Sequence, residues 1–143
     1  MEYFTRAAYE STDSPKGRRQ WHQLEKDYAV HLRSINPQLR DGWRQLTRED
    51  FEDEFIRAID RPSFDQLVLE LDSRVFVFRG VHSVRLPDFD LSSDEIAWIC
   101  HEVHCVEDGI FELKVLLSEG EFRVACEEVR IYQSEESIGS AAA

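Results

Sequence analysis

The sequence predicts an α+β fold, with two or three N-terminal helices packed on one face of a mostly antiparallel sheet of six or seven strands. Three observations lead there. Apolar residues up to about Leu46 recur at spacings of three and four, those after about Leu67 alternate, and turn signals such as Glu107-Asp108-Gly109 divide the alternating runs. Helices followed by strands favour segregated layers.

Thr5 can cap a short helix through about Tyr9, anchored by Phe4 and Tyr9, and the stretch Ser11 to Gly17 reads as a loop because it holds Pro15 and Gly17. From about Arg18 a long amphipathic helix carries Trp21, Leu24, Tyr28, Leu32 and Ile35 on one face. Asn36-Pro37 ends it, since a residue before proline disfavours helical geometry. A shorter helical piece from Pro37 to about Leu46 presents Leu39, Trp43 and Leu46, with Pro37 suited to a first turn. Thr47 to Asp60 fits two patterns. Phe51, Phe55 and Ile59 suit a helix whose start imitates a capping box, while Phe55, Arg57 and Ile59 suit a strand. Arg61-Pro62-Ser63 reads as a turn. Leu67, Leu69 and Leu71 then alternate, and Asp72-Ser73 can fold the chain back so that Leu69 meets Phe76, Leu67 meets Phe78 and Val68 meets Val77. Gly80 marks a bulge, Val84 and Leu86 end at Pro87, and Asp88 to Asp94 forms an acidic loop.

The register of the last three strands, Trp98 to Tyr132, can be worked out. A two-residue loop at Glu107-Asp108-Gly109 would mix apolar and charged partners. A three-residue loop with Gly109 left-handed instead sets Cys105 against Phe111, Val103 against Leu113 and Ile99 against Leu117, all on one apolar face. The other face then pairs His104 with Glu112 and Glu102 with Lys114, contacts worth roughly 0.2 to 1 kcal/mol each. At Glu119-Gly120 a two-residue loop places Leu117 opposite Phe122, Val115 opposite Val124 and Leu113 opposite Cys126. Alternation breaks at Glu127-Glu128, which suggests a bulge. A rival reading makes Ser92 to Glu107 a helix, with Ser92 and Glu95 as capping box.

The 143 residues, 42% hydrophobic and 11% aromatic, suffice for one core. Residues 1 to 133 are expected to form a single domain, with residues 134 to 143, poor in apolar side chains, as a frayed tail. The opening shows no charged-then-apolar leader and no apolar run is long enough to span a bilayer, so a soluble cytoplasmic chain is expected. Three cysteines suit a reducing compartment. Cys105 and Cys126 share a face but stand roughly 10 Å apart, two strand spacings, too far to bridge, and Cys100 points the other way. Of the net charge of −12, residues 51 to 143 carry all the excess, with eight Lys or Arg against twenty-one Asp or Glu. Such a surface repels nucleic acid and anionic membranes and favours a basic protein partner.

The opening Met1-Glu2-Tyr3-Phe4-Thr5 resembles the start of a family of uncharacterised bacterial proteins known as a domain of unknown function. Trp21 and Tyr28, then Pro37, Leu39, Gly42 and Leu46, then Phe51, Asp53 and Ile56, and late in the chain Trp98, Glu102, Val103 and Gly109 to Leu117, resemble the same family. Where that family tends to carry a His-Asp pair, this chain has Glu52-Asp53. The resemblance implies a strand from near Glu54 and another from near Trp98, and it implies no activity.

Candidate chemistry concentrates in Cys100-His101-Glu102-Val103-His104-Cys105. On a strand the two histidines project to opposite faces, so a metal set would comprise Cys100, Glu102 and His104 with Glu112 from the neighbouring strand. The histidines lie three apart, so the helical zinc-protease spacing of four is absent. His101, opposite Val115, reads as a core histidine with a hydrogen-bond partner. Asp50 with Glu52, Asp53 and Glu54 could pair carboxylates for acid-base work, although such a run more often marks a solvated element end. Trp98, placed on the face of Cys100 and Glu102, would be a contact anchor. The expectation is therefore a protein-interaction module, immunity-like or regulatory, without catalytic residues or cofactor, binding through Trp98, Glu102, His104 and Glu112. The alternative is a metal-binding enzyme or sensor using Cys100, Glu102, His104 and Glu112. A homodimer through an open edge of the last strand is a third possibility, the chain otherwise being a monomer.

Overall fold

The computed structural model describes residues 1–88, 90–92 and 94–134. Among these residues it has three α-helices and a six-stranded antiparallel sheet, the α+β arrangement expected from periodicity. Helix α1 (Arg6–Glu10) is capped by Thr5, whose hydroxyl accepts from the Ala8 amide. Helix α2 (Pro15–Ile35) begins three residues before the apolar stripe suggests, because Ser14 caps the Gly17 amide at 3.0 Å and Pro15 fits the first turn. Pro37 lies in a short 3-10 turn (Asn36–Gln38), so helix α3 (Asp41–Arg48) starts only at Asp41, later than predicted.

The strands are β1 (Ile56–Ser63), β2 (Gln66–Leu71), β3 (Arg74–Arg85), β4 (Trp98–Glu107), β5 (Ile110–Leu117) and β6 (Glu121–Gln133), in the spatial order β1-β2-β3-β6-β5-β4. Within the ambiguous Thr47 to Asp60, α3 runs on through Arg48 and β1 begins at Ile56, and in place of the rival helix over Ser92 to Glu107 strand β4 runs from Trp98. Arg61 and Pro62 belong to β1, with the turn at Phe64 and Asp65 and an irregular register beside the proline. The β2–β3 register is as predicted, Leu69 on Phe76, Leu67 on Phe78 and Val68 on Val77. Gly80 is left-handed at φ +65°, and the register slips just beyond it, between Val81 and Ser83. The alternation break at Glu127-Glu128 is real, since Cys126 and Val129 are both buried, but the β3–β6 register is unbroken there.

In the β4–β5 hairpin Gly109 takes φ +78°, and Cys105 faces Phe111, Val103 faces Leu113 and His104 faces Glu112 as predicted, but a slip after Cys105 pairs Glu107 with Ile110, so the turn itself is Asp108-Gly109. The ladder slips at Ile99, so Trp98, not Ile99, faces Leu117. The β5–β6 turn is longer than two residues. Gly120 at φ +76° accepts the Leu117 amide through its carbonyl, and β6 shifts by two, with Val115 on Phe122, Leu113 on Val124 and Phe111 on Cys126. A slip of two preserves the faces, so the apolar surface survives the error.

The last strand is not an edge. β6 lies between β3 and β5, which removes the basis for the predicted homodimer through its open side. The true outer strands, β1 and β4, curl toward one another until Phe55 bridges Ala97, and the Ile56 amide donates to Ile96, the Trp98 amide to Glu54 and the Asp53 amide to Trp98 at 2.8 to 3.0 Å. The curled sheet encloses Leu67, Leu69, Phe76, Phe78, Trp98, Leu113 and Phe122. Helix α3 closes the core with Trp43 and Leu46, both essentially buried. It approaches β6 so closely that a Cβ on Gly42 would lie 1.7 Å from the Val129 carbonyl oxygen. The loop from Asp88 to Asp94 lies partly outside the described residues, and the tail from residue 135 lies wholly outside them.

Candidate functional site

Beyond its short pairing with residues 53–54, the free side of β4 is covered by helix α2. The Val103 amide donates to the Tyr28 hydroxyl at 2.8 Å, and His31 Nε2 donates to the Val103 carbonyl at 3.0 Å. Two side chains one turn apart thus satisfy both backbone groups that β5 does not reach. Their rings pack at a tilt against Tyr3, whose ring lies 5.4 Å from Tyr28 and 5.5 Å from His31.

On the outer face of β4 and β5, Glu102 is fully buried. Its carboxylate accepts three consecutive backbone amides, those of Glu2, Tyr3 and Phe4, at 3.0, 2.9 and 2.7 Å, and His104 Nε2 at 2.9 Å. Burial alone would raise this carboxyl, but the His104 bond and the three amides outweigh it and hold it at about 2. The N-terminal residues are therefore strapped across the sheet. Lys114, cross-strand from Glu102 as predicted, sends its ammonium to Glu2 at 3.3 Å and Glu112 at 3.6 Å. His104 bonds Glu102, not the Glu112 it faces.

This geometry reassigns the predicted contact face. Trp98, 1% exposed, packs in the core against Phe51 and Phe76, because the slip at Ile99 turns it away from the face of Cys100 and Glu102. Glu102 and His104 are covered by the strap, and only Glu112 of the four keeps partial exposure. The metal alternative meets the same obstacle. The Glu102 oxygens are filled by four donors, and among the described residues no group of three or more His, Cys, Asp or Glu is placed to hold an ion. All three cysteines are free, and burial pushes the Cys100 and Cys126 thiols up to about 12, leaving them protonated.

His101 matches its predicted role. Nε2 donates to the Leu46 carbonyl at 2.6 Å and Nδ1 accepts the Trp98 indole N–H at 3.2 Å, which fixes one neutral tautomer between α3 and β4. Burial pushes its pKa down, and the bond to Leu46 opposes that in part. Of the acidic run, Glu54 is structural, accepting the amide and hydroxyl of Ser73 at 2.9 and 2.7 Å. Asp50 accepts the Glu52 amide at 2.9 Å, and both side chains are exposed.

Asp50 and Glu52 stand on the rim of a groove between α2, the segment 47–52 and the start of β4. One section, of about 530 Å³, is walled by Phe4, Tyr9 and Trp21, with Glu25 across from the acidic segment. A second, of about 400 Å³, adjoins it through shared Phe4, Glu25, Asp50 and Cys100 and runs toward Tyr28 and Leu32. The Trp21 ring lies 5.0 Å from Phe4 and 6.0 Å from Tyr9. Sequence periodicity marks Trp21 and Tyr28 as a helix stripe, but nothing in it shows that the stripe meets Asp50 and Glu52. Carboxylates beside aromatic rings can bind cations.

A scan against protein-family models found no match, and a search of curated proteins found none. Among the described residues no helix is long and apolar enough to cross a membrane.

Proposed function

We propose that this chain is a protein-interaction module, immunity-like or regulatory, acting in the cytoplasm on a basic protein partner. The observation that carries this reading is the groove, where half-buried Trp21 of α2 and exposed Tyr9 of α1 meet carboxylates of the segment 47–52 on a chain of net charge −12. Among the described residues, ion pairs within 4 Å engage eight acidic residues, and neither Asp50 nor Glu52 is one of them. Complementary charge of this kind steers association and discriminates against acidic partners.

Capture on immobilised chain from extracts of the source cells tests the reading. A basic protein should be retained at about 0.1 M salt and released by about 0.5 M, where screening shortens to a few ångströms. Retention of no basic protein, or retention insensitive to salt, would remove the reading.

A further inference from the structure

We propose that the groove receives an arginine side chain presented by an extended basic segment of the partner, a proposal that rests on the interaction reading above. A guanidinium combines a flat face, which stacks on aromatic rings, with a donor fork that matches carboxylates. The groove supplies both. Half-buried Trp21, in ring contact with Phe4 and Tyr9, lines the same section as the exposed carboxylates of Asp50 and Glu52. Two cations, Arg18 and His22, line the same section, but among the described residues no ion pair engages Asp50 or Glu52. Arg18 donates to the carbonyls of Thr12 and Asp13, each at 3.3 Å, and His22 pairs with Glu25 at 3.3 Å. The second section gives the segment a path beyond the anchor, along Glu25 and Asp50 toward Leu32, which a free small amine would not need.

The tryptophans provide a selective readout. Trp43 and Trp98 are each 1% exposed, so a ligand-induced change in emission reports Trp21. The probe is a blocked Gly-Arg-Gly-Arg-Gly peptide beside its twin with citrulline for arginine, which keeps the shape and removes the charge. The arginine peptide should shift emission saturably, with the citrulline twin at least about tenfold weaker. Asp50→Asn with Glu52→Gln should weaken binding at least about fivefold, and both positions are exposed, so the melting temperature should hold. Glu25→Gln, also on an exposed site, should weaken it by a smaller factor. Trp21→Phe should abolish the emission response while calorimetry still detects binding. Equal binding of the twin, or binding unchanged in the double variant, overturns the proposal. If either occurs while salt-sensitive capture of a basic protein persists, the interaction reading stands and this groove is not its anchor site. If capture itself fails, that reading falls with it.

Discussion

Replacing Glu102 by glutamine tests whether the N-terminal strap is held by charge. The side chain keeps its shape, but an acceptor oxygen becomes an NH2 group facing the donors of Glu2, Tyr3 and Phe4, which accept nothing in return. The wild-type carboxyl is held at about 2 against an ordinary value of 4.5. At 1.36 kcal/mol per pH unit, that gap corresponds to about 3 kcal/mol of folding free energy at neutral pH. Because the folded value is depressed, this stability is present above pH 4.5 and drains away as pH falls toward 2. At about pH 3.5 roughly 1.4 kcal/mol of it should be gone. Denaturant unfolding should therefore show Glu102→Gln less stable by about 3 kcal/mol at pH 7, near 10 °C in melting temperature. The difference between variant and wild type should shrink steadily below pH 4.5. Hydrogen exchange at the amides of residues 2–4 should accelerate in parallel. A loss under about 1 kcal/mol at pH 7, or a difference that stays constant from pH 6 to pH 3, would refute the electrostatic account of the strap.

His101 supplies a second, separate pH window. Its folded pKa is depressed by burial, so wild type should lose stability as pH drops below 6.5, and His101→Phe should show no such slope between pH 7 and pH 5 in the same unfolding assay. Gly42→Ala should cost about 1 to 3 kcal/mol, because the added carbon meets the Val129 carbonyl at 1.7 Å and α3 must back away from β6. Gly109→Ala, whose Cβ meets nothing within 4 Å, should cost only the strain of φ +78°, about 1 kcal/mol, and side-by-side melts would show the contrast. In the native state a thiol reagent should label Cys105, which is half-exposed, well before Cys100 and Cys126, and peptide mapping of the labelled chain would reveal any other order.

Much of the sheet was legible because alternation and turn glycines act locally. Gly109 and the pairing of Val103 with Leu113 follow from a dozen neighbouring residues. The slip at Ile99 was not legible, since Ile99 and Trp98 are both apolar and either could face the core. Nor was the placement of β6 between β3 and β5, because strand order depends on contacts between distant segments. Glu102 shows the limit most clearly. A glutamate between a histidine and a valine on an edge strand reads as solvated, and its partners are backbone amides about one hundred positions away that carry no side-chain signature. The groove was hidden for the same reason, as Trp21 and Asp50 each have an ordinary local explanation.

The strap also orders events during synthesis. Residues 2–4 are made well ahead of their anchor, which lies 98 to 100 positions later, and β4 must pair with β5 before Glu102 is presented on a finished face. Closing a loop of that length costs entropy that only the completed face can offset. Residues 2–4 therefore stay unanchored until β4 and β5 have been made and paired. A pulse-labelling experiment on nascent chains should find them exchanging freely until the β4–β5 hairpin has emerged.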